Sequence, residues 1–497
     1  MGACLISAVL LASAQTVRGC EALIAIGLVP VCLALKPQRF LRTWMMLGGM
    51  YGVYVALAVS WLTYTGKGYG WILLGVSLYG VSFLSIPAAC CWAIRLSEPS
   101  ARLLFLPVAW VLMEFTQRLT LLHLTWVQLA DPVAKWPVLS QAAALGGPEI
   151  LSYPVVAIST AIAVACLKGS RGVKIVAAAQ GLGTLLMTVI FGIVHLNAAP
   201  IHGPTVRISV IQPNVSQLEK WDHRKRLGVL AELDGLIDGT IDRNPDIYVL
   251  PETAVTGFVR FEDDLTDWVK RTVVRLRRPV LFGTLDRTQD SSQTYNVAIM
   301  VTPYDTVTTY RKIHLVPVAE YIPRLGPLRR LLVLARGGPD EFTAGNERTL
   351  FELPGNIKFA TLICFEDIFP DLVRSFVSGG AKGLIVLTNT EWFKKSSQGW
   401  EHLRRAQLTA ISVGVPMIRC TNSGISAAID RNGRILATVK AADGNLLMVA
   451  GASVFSVPLD QTETVYRRFG DSLPLMALCI VIAISIAATR LAHPRMK

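Results

Sequence analysis

Charge is what this sequence has least of. Only 17% of its 497 residues are charged and 52% are hydrophobic, with a mean hydropathy of +0.46. A soluble domain carries about 25% charged residues, so the composition excludes an ordinary soluble enzyme, and it equally excludes a disordered chain. The shortage is uneven. Residues 1–200 hold twelve Lys/Arg and five Asp/Glu, residues 201–471 hold 33 and 30, and the last 26 residues add three basic groups and no acid. Of the formal +13, the middle block therefore carries +3 and the flanks +10. A nucleic-acid binder gathers its excess charge on a folded polar domain. Here the excess lies between apolar runs, which argues against nucleic acid and for membrane orientation. Metal-ligand patterns are also missing. Of nine cysteines, seven (Cys4, Cys20, Cys32, Cys90, Cys91, Cys166 and Cys479) sit in the apolar flanks, where cysteine behaves as a small hydrophobe. Cys364 and Cys420 form no CxxC and no zinc spacing. The seven histidines, His314 and His402 among them, join no ligand cluster. No phosphate-binding glycine motif occurs. Neither a metal nor another cofactor is expected.

Long apolar runs are what the chain has in abundance. Crossing a bilayer takes about 20 mostly apolar residues. Candidate spans lie at 3–17, 20–35, 44–64, 69–94, 102–124, 150–167 and 173–195, with a last one at 472–490. The first two are short, and the fifth carries Glu114 and Arg118. Leu11–Ala14 has the small-residue look of a cleavage site, but Met1–Ser7 lacks the basic residues of a secretion signal, so the first run reads as a retained helix. Lys and Arg near span ends favour the cytoplasmic side. With the N-terminus inside, the inner connections and C-terminal tail hold eleven Lys/Arg against four outside. The expected organisation is a membrane domain of about seven helices at 1–200, an extracytoplasmic domain at 201–471, and a C-terminal span with a cytoplasmic tail at 472–497.

From Val206 the pattern changes. Val206–Gln212, Ile247–Leu250, Pro279–Leu285, Tyr295–Thr302, Lys358–Cys364, Gly383–Thr388, Pro416–Thr421 and Ile425–Asp430 read as strands. Helical stretches fall near 221–240, 264–277, 367–378 and 399–414. This alternation predicts an α/β layered domain. Two reactive groups end predicted strands, Glu252 after Tyr248–Leu250 and Cys364 after Thr361–Ile363, and Lys312 lies between them in Tyr310–Pro317. A thiol needs a base or positive surroundings to act as a nucleophile. Glu252 can take its proton and Lys312 can stabilise thiolate and oxyanion. Taken singly, Cys364 reads as well as a buried structural thiol, and Glu252 with Lys312 as an ion pair.

At these residues the chain resembles the carbon–nitrogen hydrolase (nitrilase) superfamily, whose members use a Glu–Lys–Cys triad on an αββα sandwich. The flanking segments sharpen the likeness. Ile211–Asn214 with Glu219–Trp221, Leu250–Ala254, Lys312–Pro317 with Glu320–Pro323, Phe342–Gly345, Cys364–Glu366, Asn389 with Trp392–Phe393 and His402, and Thr421–Ser426 follow the motif order of apolipoprotein N-acyltransferases. The hydrolase-like part covers about 206–455, and the span layout extends it to nearly the whole chain. The resemblance implies Cys364 as nucleophile, Glu252 as general base and Lys312 as transition-state stabiliser. It implies supporting roles for Glu320, orienting Lys312, and for Glu366 at the nucleophile loop, although Glu366 also suits the start of a helix. Trp221, Trp392, Phe365 and Asn389 fall at positions near the acyl and lipid site, where core packing is the alternative for the two tryptophans. Phe365 replaces a frequent Tyr, and Asn389–Thr390–Glu391 and Lys394 depart from the family loop.

The implied reaction moves an acyl chain from a phospholipid to Cys364 and then to the α-amine of a lipoprotein's N-terminal diacylglyceryl-cysteine. It implies a multi-pass protein of the bacterial cytoplasmic (inner) membrane, with phospholipid, diacylated apolipoprotein and bilayer as partners. Arg324–Arg336, where leucines alternate with arginines, reads as a lipid-facing arm, or as a helix packed on the domain's own core. Two further readings remain: a membrane-bound nitrilase-like amidohydrolase, and a lipid-binding or transport protein with an inert domain.

Overall fold

The computed structural model describes residues 1–35, 39–66, 69–93, 98–118, 120, 125–324, 326, 328–336 and 341–472, with single positions 475, 476, 479 and 483. The last expected span, 472–490, lies almost entirely outside the described residues. The chain divides into two compact units, Met1–Ala198 with Thr464–Lys497, and Ala199–Glu463. Residues 464–471, expected with the polar block, group with the first unit.

The first unit is helical. Its helices are α1 (Gly2–Thr16), α2 (Val29–Ala34), α3 (Phe40–Ala58), α4 (Tyr69–Phe83), α5 (Ser85–Ala93), α6 (Leu106–Arg118), α7 (Pro137–Ser140), α8 (Ala143–Gly146), α9 (Ser152–Cys166) and α10 (Arg171–Asn197). Among the described residues, three stretches are long and apolar enough to cross a membrane: Gly70–Ala89, Pro148–Cys166 and Arg171–Asn197. Small residues let helices approach. A Cβ on Gly52 would lie 2.9 Å from Val81, and one on Gly48 3.2 Å from it, a small-xxx-small face against α4. The charges in the fifth run are internally satisfied. Glu114 accepts from Trp110 Nε1 (3.1 Å), Leu129 N (3.1 Å) and Ser152 Oγ (2.6 Å). Arg118 pairs with Glu149 (3.5 Å) and Asp471 (2.8 Å). Both side chains are buried, which is how an apolar bundle tolerates ionisable groups.

The second unit pairs two six-stranded sheets. Its strands are β1 (Thr205–Gln212), β2 (Ile247–Val249), β3 (Val280–Arg287), β4 (Thr294–Val301), β5 (Val307–Arg311), β6 (Leu350–Leu353), β7 (Ile357–Ile363), β8 (Gly383–Thr388), β9 (Met417–Thr421), β10 (Ala427–Ile429), β11 (Ile435–Thr438) and β12 (Gly451–Pro458). The sheet orders are β12-β1-β2-β3-β4-β5 and β11-β10-β9-β8-β7-β6. Each has a parallel centre, β1–β2–β3 and β7–β8–β9, flanked by antiparallel strands. The sheets face each other: the Cys420 thiol on β9 donates to the carbonyls of Ile211 and Val249 at 3.3 and 3.2 Å.

Helices α11 (Gln217–Lys220), α12 (Arg226–Asp238), α13 (Asp263–Leu276), α14 (Leu328–Arg336), α15 (Pro370–Ser378) and α16 (Gln398–Val413) complete the unit. The first sheet needs cover because its strands are apolar on both faces. Leu230, Leu233 and Ile237 of α12 and Leu265, Trp268, Val269 and Val273 of α13 form one core with Tyr248, Phe282, Val297 and Ile299. Burying each such side chain stabilises the fold by about 1.5–3 kcal/mol. All eight expected strands are present with ends shifted by up to two residues, and four more, β5, β6, β11 and β12, join the sheet margins.

Candidate active site

The site gathers at the C-terminal ends of the parallel strands, where open α/β sheets place ligands. Glu252 lies three residues past β2, Cys364 directly after β7 and Asn389 directly after β8. Lys312 directly follows β5. Two of these corners adopt left-handed backbone: Cys364 has φ +57° and Thr253 has φ +47°. For non-glycine residues this conformation costs of order 1–3 kcal/mol, so the surrounding packing holds it in place.

The structure brings Glu252, Lys312 and Glu320 together in one buried cluster. Lys312 Nζ lies 2.8 Å from Glu320 Oε1 and 3.7 Å from Glu252 Oε1. Glu252 Oε1 also accepts from Asn296 Nδ2 at 2.9 Å, and its Oε2 accepts from the Asn389 backbone N–H at 2.9 Å, which ties one sheet to the other. Glu320 Oε1 accepts from Asn296 Nδ2 at 3.1 Å and Oε2 from Val316 N at 2.8 Å. All three charged side chains are buried. Burial works against the Lys312 charge, but Glu320 and Glu252, helped by Cys364, outweigh it and hold the ammonium pKa above its ordinary value.

Cys364 is partly exposed and stands in the field of Glu252 and Lys312. Desolvation pushes its thiol pKa well up, Glu252 adds to that, and Lys312 pulls the other way. The resting group is thus a thiol. Beside it the Phe365 ring centroid lies 5.5 Å from Lys312 Nζ, a cation–π distance, and 5.1 Å edge-on from Phe369. Phe365 therefore offers Lys312 an aromatic face even without a hydroxyl.

Glu366 joins the Cys364 corner to the Lys312 corner. Its Oε1 accepts from Tyr310 Oη (2.8 Å), Ile313 N (2.8 Å) and His314 N (3.0 Å), and its Oε2 from Ile363 N (2.8 Å). Burial raises its pKa to about 7, while Lys312 and these donors pull it down. Asp367 receives His402 Nε2 at 2.7 Å and also Arg419. His314 stacks on Phe369 at 4.5 Å. Trp221 and Trp392 do not pack in the core: they are 48% and 46% exposed. Their chain neighbours are tied in at the site: Lys220 bonds the Glu252 carbonyl, and Glu391 accepts from Gln217 N at 3.3 Å. In α14, Leu334 and the arginines Arg329 and Arg330 are exposed, and Arg329 pairs with Glu341 at 2.6 Å.

Two residues of the site were not singled out from sequence. Lys220 is buried and donates to the Glu252 carbonyl and to Thr253 Oγ1, both at 3.0 Å. Its desolvation lowers its pKa to about 8, against the pull of Glu252 and Glu391. Asn296 bridges both carboxylates. The available signal was a lone amide in the otherwise apolar run of β4.

Paired mixed sheets with an acid, a lysine and a thiol at their strand ends define a carbon–nitrogen hydrolase domain. Residues 207–450 match the family model "Carbon-nitrogen hydrolase", and residues 7–161 match "Apolipoprotein N-acyltransferase N-terminal domain". The chain is 27% identical to the apolipoprotein N-acyltransferase of Geobacter metallireducens over 94% of this chain and 91% of that one. It is 29% identical to that of Bradyrhizobium diazoefficiens, over 86% and 80%. Among solved structures, Saccharomyces cerevisiae Nit3, of branch 10 of the nitrilase superfamily, aligns at 16% identity with a TM-score of 0.39, covering 61% of this chain and 98% of that one. With both family models matched in order along its length, the chain belongs to the apolipoprotein N-acyltransferase family.

Proposed function

We propose that the protein takes an acyl chain from a membrane phospholipid onto Cys364 and passes it to the α-amine of the N-terminal diacylglyceryl-cysteine of a lipoprotein. The observation that carries this reading is the buried Glu252–Lys312–Glu320 cluster in whose field Cys364 sits, in a chain that matches N-acyltransferases over most of its length.

Glu252 takes the Cys364 proton as sulfur attacks the ester carbonyl. Because the resting group is a thiol, proton transfer accompanies attack. The oxyanion forms beside Lys312, whose charge Glu320 keeps in place. Collapse breaks the ester C–O bond, the lysophospholipid alkoxide takes the proton from Glu252, and a thioester remains. The incoming neutral amine then attacks the thioester, Glu252 accepts an amine proton, and the leaving thiolate is reprotonated. One site serving two substrates in turn gives ping-pong kinetics.

In this reading residues 1–200 and 472–497 anchor a catalytic domain to the bacterial cytoplasmic membrane, with the domain on the extracytoplasmic face and the C-terminus inside. The eleven-to-four basic asymmetry supports that orientation. Exposed Trp221, Trp392, Leu334, Arg329 and Arg330 suit acyl chains and headgroups.

The test is to incubate the purified protein in detergent with phosphatidylethanolamine and a diacylated lipopeptide, then weigh the lipopeptide by mass spectrometry. A one-acyl mass gain on the α-amine, absent in Cys364→Ala, is the expected result. Free fatty acid with an unchanged lipopeptide would instead identify an amidohydrolase-like enzyme, and no change in either would refute acyl transfer from this donor.

A further inference from the structure

The proposed base sits in an electrostatically awkward place. Glu252 and Glu320 both point an oxygen at one ammonium group, Lys312. Two carboxylates sharing a site relieve their repulsion by holding a proton between them. A proton kept there would disable the base. Something must let both remain ionised.

Asn296 on β4 has the required geometry. Its Nδ2 carries two hydrogens and lies 2.9 Å from Glu252 Oε1 and 3.1 Å from Glu320 Oε1. The side chain is buried. The opposite amide orientation would aim its carbonyl oxygen at two carboxylates. The adopted one leaves Oδ1 buried with no hydrogen-bond partner among the described residues, a real cost that is accepted so that both hydrogens face the acids. The same residue fixes the lysine, since the Asn296 carbonyl accepts from Lys312 N at 2.9 Å. One residue thus sets the acid pair through its side chain and the lysine through its backbone.

We propose that Asn296 is the positioning residue that keeps Glu252 and Glu320 deprotonated together beside a single lysine, by donating one amide hydrogen to each. The proposal rests on Glu252 being the base for Cys364. Besides Asn296, the groups facing the pair are Lys312, Cys364, the backbone N–H groups of Asn389 and Val316, and, toward Glu252, Lys220 from α11. Of these groups Lys312 and Lys220 bring positive charge: one Lys312 ammonium is shared between the two acids, and Lys220 is bonded to the Glu252 backbone carbonyl and Thr253 Oγ1 rather than to either carboxylate.

The experiment reads the base without lipid or acceptor. Iodoacetamide alkylation of Cys364 is followed on its own peptide by mass spectrometry from pH 5 to 9, in the full-length protein in detergent. Wild type, Glu252→Gln, Asn296→Ala and Asn296→Asp are compared, with thermal unfolding as a check on folding. In Asn296→Ala the acid limb of the alkylation profile moves to higher pH by about one unit, and the rate at pH 7 falls about tenfold. Asn296→Asp keeps the volume, removes both donors and adds a third acid. It falls further, about a hundredfold, and carries the test if the alanine variant does not fold. A profile superimposable on wild type in pH, whatever its height, would reduce Asn296 to a structural residue and overturn the proposal. Glu252→Gln alkylating like wild type would remove the base itself and the proposal with it. Normal alkylation behaviour with no lipopeptide acylation would overturn only the acyl-transfer reading, while the shifted Asn296 profile would still uphold this proposal.

Discussion

Gly283 brings no side chain to the site, yet its replacement by alanine should damage the proposed chemistry more than its stability. Gly283 lies in β3 directly behind the corner that carries Glu252. A Cβ there would sit 2.5 Å from Thr253 N, 2.6 Å from Glu252 Cα and 2.9 Å from Glu252 C. Ordinary contact begins near 3.4 Å, so the corner must retreat by about 0.9 Å in a close-packed interior. All three neighbours are backbone and cannot swing aside. The strand cannot retreat instead, because Gly283 N donates to Pro251 O at 3.1 Å and Val255 N to Gly283 O at 3.2 Å. Overpacking of this kind costs about 1–3 kcal/mol of stability. The displacement acts on Glu252, which must stay within reach of the Cys364 proton, and a misplacement of about 1 Å can cost a hundredfold in rate. The assay is thioester formation on Cys364 with phosphatidylethanolamine, followed by intact mass in a single turnover, beside thermal unfolding. The expected result is a rate loss of about a hundredfold with the protein still folded. A Gly283→Ala protein that acylates at the wild-type rate would refute the claim that this corner positions the base.

Lys312→Met leaves Glu252 and Glu320 buried without their cation, so it should abolish thioester formation and also lower unfolding stability by about 3–5 kcal/mol; unchanged stability in denaturant titration would contradict the burial argument. Lys220 gives a pH signature. Its folded pKa, about 8, lies below the ordinary 10.5, so between these values the unfolded chain binds the proton more tightly and stability rises with pH. Denaturation midpoints measured from pH 8 to 10.5 should climb in the wild type and lose that part of the slope in Lys220→Met. Trp221→Ala and Trp392→Ala remove half-exposed rings next in the chain to Lys220 and Glu391; each should raise the phospholipid KM several-fold while leaving Cys364 alkylation unchanged. A parallel loss of alkylation would mean the rings support the site's fold instead.

The central strands were legible in sequence because they are covered on both faces and so read as apolar runs. Every residue of β8 is buried, as is nearly all of β3. The strands that escaped sit at or next to the sheet margins. Val307–Arg311 is largely polar, and β12 is broken by Gly451, Ser453 and Ser456, so neither shows a run. Their partners are distant too: β12 pairs with β1 across some 250 residues, a register no local pattern encodes. The membrane flank was legible as hydropathy but not as helix boundaries. Glu114 and Arg118 looked out of place in an apolar run because their partners, Ser152, Glu149 and Asp471, lie far along the chain. Among the site residues, Glu252 and Cys364 announced themselves by chemical type at expected strand ends, and Lys312 and Glu320 through the motif segment they share. Asn296 and Lys220 did not, because a positioning residue is defined by what it touches, and sequence gives only what it is.

The position of Glu366 explains how two corners from different sheets can act as one site. Cys364, the proposed nucleophile, stands after β7 of one sheet and Lys312 after β5 of the other. Glu366 takes hydrogen bonds from Ile363, just before the cysteine, and from Ile313 and His314, just after the lysine. The Asn389 backbone bond to Glu252 makes a second crossing between the sheets. Two separate crossings fix both distance and angle between corners, whereas one would leave a hinge. Such fixation matters most for a reaction in two half-steps, in which the same base must meet first a thiol and then an amine. Neither meeting then requires the protein to rearrange, so the proposed ping-pong cycle can run with the triad held still and only the substrates exchanging.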